Sequence, residues 1–78
     1  MEVSALAEYM VKALVDYPER VVVKETKGIT TTILQLVVHK ADIGKVIGKK
    51  GVTIGALRII LSAAAAKERR SIILELTE

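Results

Sequence analysis

The sequence predicts a small α+β fold: a three-stranded mixed sheet and three helices in the order α-β-β-α-α-β. Three observations predict it. Apolar residues recur at helical spacing near the start and again after Ile54. Between these stretches lie two runs of β-branched residues separated by Lys27-Gly28, and a last such run closes the chain. With 78 residues there is room for one domain, 1–78, and no second core.

Taken in order, Val3, Leu6, Ala7, Met10 and Leu14 make an apolar stripe, predicting a helix from about Ser4, a suitable N-cap, to Asp16. Pro18 is expected to end it by pushing Tyr17 out of the α region. A membrane-surface helix is the rival reading, but Glu2, Glu8 and Asp16 oppose Lys12 on a sparse charged face. Arg20 to Glu25 and Thr30 to Val38 read as strands that the short connection pairs antiparallel. Alternation puts Leu34, Leu36 and Val38 on one face, with Thr31, Ile33, Gln35, Val37 and His39 on the other.

A short helix over 41–47 follows, with Asp42 near its positive end. A longer helix from Val52 to Lys67 carries Ile54, Leu57, Leu61, Ala64 and Ala65 on the side expected to meet the sheet. Its opposite arc holds Ala56, Ile59, Ile60, Ala63 and Ala66. A helix apolar nearly all round is usually buried all round, and so small a domain cannot cover both sides. A homodimer or partner contact through Ala56, Ile59, Ile60 and Ala63 is therefore expected, helped by the small Gly55. The plainer account is scattered exposed apolar residues. Ser71 to Leu76 is the last strand, and the two-helix crossover before it favours parallel pairing with the second strand.

Composition removes several functions. The chain has no cysteine, so neither disulfides nor thiol or Cys-metal chemistry is available. No apolar run approaches the ~20 residues of a membrane span, and nothing resembles a leader peptide, so a cytoplasmic protein is expected. His39, the only histidine, has no second ligand nearby, and no carboxylate pair or hydroxyl–base pair suggests catalysis. The sequence reads as a non-enzyme without cofactor or metal.

What remains is Gly48-Lys49-Lys50-Gly51, a turn between two helices with a glycine at each end and two cations at its tip. Glycine admits positive φ and close backbone approach, and the helix start beyond it favours an anion. Lys40, Lys45, Lys49 and Lys50 cluster here with Asp42 the only acid among them, although the net charge is only +3. The pattern points to a phosphate chain. A Walker A loop needs four residues between its glycines, whereas Gly44 and Gly48 enclose three; no G-x-G dinucleotide fingerprint is present.

Val46-Ile47-Gly48-Lys49-Lys50-Gly51-Val52-Thr53-Ile54 resembles the V-I-G-x-x-G-x-x-I signature of KH domains. Leu14 to Glu19, the hairpin and Ala63 to Lys67 extend the resemblance across nearly the whole chain, to small standalone bacterial KH proteins. Two positions depart from the pattern: Val52, where a basic residue is frequent, and Gly55, which interrupts the helix. The resemblance implies a type II KH domain with strand order 1-2-3 and the helices on one face. It implies a clamp on about four nucleotides of single-stranded RNA.

In that reading Gly48 and Gly51 admit the RNA backbone and Lys49 and Lys50 neutralise phosphates. Ile43, Val46, Ile47 and Ile54 form an apolar wall for bases, and Gly44 keeps the helix surface low beside it. Lys45 and Arg58 are secondary backbone contacts. Tyr9 and Tyr17 lie away from the groove, so weak, sequence-tolerant binding is expected. The resemblance further implies post-transcriptional regulation or RNA chaperoning, and a heterodimer with another KH-containing RNA-binding protein, beside the homodimer that the long helix suggests. The alternative is a protein-interaction module of the same fold acting through its long helix. Phosphate contacts alone do not separate RNA from single-stranded DNA.

Overall fold

The computed structural model describes residues 2–77. Its elements are α1 (Val3–Leu14), β1 (Val22–Lys27), β2 (Thr31–Val37), α2 (Ile43–Ile47), α3 (Val52–Ala66) and β3 (Ser71–Thr77). Short 3-10 turns occupy Pro18–Arg20, Lys40–Asp42 and Lys49–Gly51. The sheet has the order β1-β2-β3, with β1 antiparallel and β3 parallel to the central β2. This is the expected mixed α+β arrangement.

One sheet face carries the core. Leu34 and Leu36 of β2, Val38 just past its end and Leu74 of β3 point inward against Val3, Ala7 and Val11 of α1 and Ile54, Leu57, Leu61 and Ala65 of α3. The opposite face keeps Gln35 and Ile73 exposed. The predicted alternation along β2 and the sheet-facing stripe of α3 are both observed, with Ala64 only partly buried.

Several local expectations are corrected. Ser4 does not cap α1: the N-cap is Glu2, without a side-chain cap bond. The buried stripe runs through Val11, at i, i+4 and i+8 from Val3 and Ala7, while Leu14 is exposed. Pro18 does not end the helix either. Val15 has already turned extended at φ −102°, ψ 162°, and Pro18 instead opens its own 3-10 turn, where its missing N–H is harmless. That turn takes up Arg20, so β1 starts two residues later than expected. Of the predicted 41–47 helix, residues 41 and 42 belong to a separate 3-10 turn.

The α3–β3 junction holds a feature the sequence did not announce. The Arg70 amide bonds the Ala65 carbonyl (3.1 Å) and the Arg69 amide bonds that of Ala66 (2.9 Å), a Schellman closure with Arg69 at φ +58°. Arg70 then spreads its guanidinium over the β1–β2 turn. It donates to the carbonyls of Gly28 (2.7 Å), Ile29 (3.2 Å) and Thr31 (3.2 Å), and to Oγ1 of buried Thr32 (2.9 Å). No described helix is long and apolar enough to cross a membrane.

Candidate nucleic-acid interface

The Gly48–Gly51 turn lies between α2 and α3 with its backbone in conformations that few residues adopt. Gly48 sits at φ 76°, ψ 170°, a region essentially reserved for glycine. Its N–H closes α2 on the Gly44 carbonyl at 2.8 Å. A Cβ there would also lie 2.7 Å from the Thr53 nitrogen and meet the Thr53 side chain, so the first turn of α3 requires the absent side chain. Gly51 takes φ 77°, and its N–H returns to the Gly48 carbonyl at 3.1 Å. Lys50, between them, is held at φ 56°. This non-glycine left-handed residue costs roughly 1–2 kcal/mol. Lys49 and Lys50 are both exposed, and α3 begins without a side-chain cap.

Beside the turn is a groove of about 410 Å³ lined by Ile43, Ile47, Ile54, Arg58, Leu76 and Thr77. Three of the four apolar wall residues expected from the sequence are there. Val46 is not: it is 0% exposed and belongs to the core. On the wheel of α2, Val46 lies between Asp42 and Ile43, so the arc that turns inward takes Val46 and leaves Ile43 and Ile47 on the groove side.

Lys45 is likewise absent from the groove lining. It points to the other flank of α2 and pairs with Asp16 at 3.2 Å, a solvent-exposed pair worth little in stability. Gly44 is exposed, and a Cβ at this position would touch nothing within 4 Å. Arg58 lines the groove and donates from Nη2 to the Leu74 carbonyl at 3.2 Å.

Leu76 and Thr77 were missed in the sequence. The available signal was the inward register of Ile72, Leu74 and Leu76; what placed Leu76 in the groove is that it lies at the end of β3, in contact with the α2–α3 side of the domain.

A second missed group positions α2. Asp42 is 0% exposed and does not cap its own helix. Its two oxygens accept from the backbone amides of Asp16 (3.1 Å) and Tyr17 (3.0 Å), fastening the segment after α1 to the start of α2. His39 reinforces the junction. Its Nδ1 accepts from the Ala41 amide at 2.9 Å, and its ring stacks on Tyr17 with centroids 4.1 Å apart. His39 is thus a local cap on the turn that follows β2.

On the outer arc of α3, Ala56, Ile59, Ile60 and Ala63 are all exposed, Ile59 at 72%. Val52 adds to the same exposed apolar surface.

The α-β-β-α-α-β order, the 1-2-3 mixed sheet and a glycine-framed turn between the two middle helices define a KH domain. Sequence comparison is more specific. The profile described as KhpA/KhpB, KH domain, matches residues 4–76, and the chain belongs to this family of non-enzymatic proteins.

Among its relatives, a protein named RNA-binding protein KhpA from Chlamydia trachomatis is 49% identical over 70 residues, 90% of each chain. Its namesake from Clostridium perfringens is 45% identical over 71 residues, covering 91% of this chain and 95% of the relative. The one from Borreliella burgdorferi is 41% identical over 73 residues, covering 94% and 89%. No solved structure matches.

Proposed function

We propose that this chain is a cytoplasmic RNA-binding protein that grips about four nucleotides of single-stranded RNA. The observation that carries the reading is the Gly48–Gly51 turn: positive φ at both glycines, two exposed lysines, and an apolar groove alongside. Lys49, Lys50 and the uncapped start of α3 face the phosphates, while Ile43, Ile47, Ile54 and Leu76 receive bases. Gly44 leaves the surface beside them low. Neutralising phosphates releases counterions, so affinity falls with salt. The relatives' shared name supports RNA as the ligand. Regulation after transcription or RNA chaperoning is part of the proposal and does not come from that name.

The test is fluorescence anisotropy of short single-stranded RNA and DNA at two salt concentrations, comparing wild type with Lys49→Asp/Lys50→Asp. Circular dichroism checks that both are folded. Binding by wild type that weakens with salt and is lost in the folded double variant is expected. No binding at low salt and high protein concentration would sink the reading.

The exposed arc of α3 favours a further element: pairing of two chains, or of this chain with another KH protein, through Ala56, Ile59, Ile60 and Ala63. Two linked grooves would raise the avidity of individually weak sites. Sedimentation should show a dimer that Ile59→Asp/Ile60→Asp converts to monomer. A wild type that is monomeric at high micromolar concentration removes the homodimer. If RNA binding fails but association persists, the chain is an interaction module acting through α3.

A further inference from the structure

Among the described residues the groove is apolar apart from two side chains, Arg58 and Thr77, and these two differ in what they offer. Thr77 Oγ1 donates its proton to the Leu36 carbonyl at 3.2 Å, so its oxygen is left as an acceptor. Arg58 is the groove's side-chain donor. Its position is set on both sides. It follows Ile54 by one turn of α3, and Nη2 is tied to the Leu74 carbonyl. That carbonyl is on the free edge of β3. Ser71 donates its amide to Thr30 of the neighbouring strand segment, so by alternation Leu74 turns its backbone groups away from β2. The guanidinium is thereby held across the strand edge at the margin of the groove, with N–H groups beyond the one bound to Leu74 still free to bond.

A tethered guanidinium differs from a solvated surface cation. It loses less freedom on binding and presents a planar fork that matches two neighbouring acceptors. The phosphate chain has its own partners at Lys49 and Lys50, and the apolar floor of Ile43, Ile47, Ile54 and Leu76 suits a base rather than a phosphate. Resting on the proposal that this groove receives bases, we infer that Arg58 reads one of them, selecting a base with two adjacent acceptors on its edge. Guanine offers O6 and N7, and cytosine offers O2 and N3. Adenine sets an amino donor beside each ring acceptor of that edge, and uracil sets N3–H between its two carbonyls. Both interrupt the fork. Binding is then selective for guanine or cytosine at one position, in place of the sequence tolerance expected from the missing aromatics.

The experiment uses the full chain and labelled hexamers of uridine in which one position at a time is replaced by C, G or A. Wild type, Arg58→Lys and Arg58→Met are titrated by anisotropy, and the readout is the ratio of each Kd to that of the all-uridine hexamer. Wild type should favour a C- or G-containing hexamer by about 5- to 30-fold, the C and G arms telling which base is read. In both variants that ratio should collapse toward one, Arg58→Lys included, because an ammonium keeps the charge but not the fork.

A wild type that binds all four sequences equally overturns the inference while leaving RNA binding intact. So does an Arg58→Met that weakens every hexamer alike and keeps the wild-type ratios, which would make Arg58 a phosphate contact. A wild type that binds none of them overturns the proposed function together with this inference.

Discussion

Replacing Asp42 should be among the most damaging single changes in this domain, although the residue never faces the groove. Its carboxylate is fully buried, and among the described residues no cation lies within ion-pair distance of it. The charge is held by the Asp16 and Tyr17 amides at 3.1 and 3.0 Å, and by its place at the start of α2. Hydrogen bonds to a charged group contribute about 1.5–3 kcal/mol each, but both bonds share one carboxylate whose burial is itself unfavourable. Asp42→Ala removes the bonds and the buried charge together, giving a net loss of about 2–4 kcal/mol.

A chain of 78 residues has roughly 4–12 kcal/mol in total. At about 4–8 °C per kcal/mol, the melting temperature should fall by about 8–32 °C. Asp42→Asn keeps the shape and one acceptor oxygen, and should lose about half as much. Urea and thermal unfolding followed by circular dichroism suit a chain without tryptophan. If Asp42→Ala stays within about 0.5 kcal/mol of wild type, or Asp42→Asn loses as much as Asp42→Ala, the two amide bonds do not hold this junction and the reasoning fails.

Two other changes test backbone geometry. Gly48→Ala combines a glycine-only conformation with a clash at Thr53, and should lose about 2–3 kcal/mol along with RNA binding. Gly51→Ala, with open space for its Cβ, should lose only about 1 kcal/mol, so equal urea midpoints for the two variants would contradict the assigned clash. Arg69→Gly relieves a left-handed arginine at the Schellman closure and should raise stability by about 0.5–1 kcal/mol in the same assay; a loss would mean the Arg69 side chain contributes more than its strained φ costs.

The element order, the antiparallel hairpin, the parallel crossover and the Gly48–Gly51 turn were all legible in the sequence. The elements, the hairpin and the turn are signalled locally, and the crossover follows from the order of the elements. Leu34, Leu36 and Val38 alternate because a strand has period two, and Ile54, Leu57, Leu61 and Ala65 recur because a helix turns every 3.6 residues. Glycine at 48 and 51 permits the positive φ that the turn takes there.

Tertiary structure decided which part of an apolar arc is covered, and which polar groups meet. Val46 and Ile47 are adjacent and alike, yet only Val46 is wholly buried, because the direction in which α2 docks divides its apolar arc. Val11 replaces Leu14 in the core for the same reason. Asp42 joins amides 25 and 26 residues away, and Arg70 bonds the β1–β2 turn from as far as 42 residues off. Leu76 and Thr77 line the groove only because the crossover lays β3 beside β2. Periodicity reports what a segment can do with its own neighbours in sequence. Partners at such separations are chosen by topology, and no local pattern encodes them.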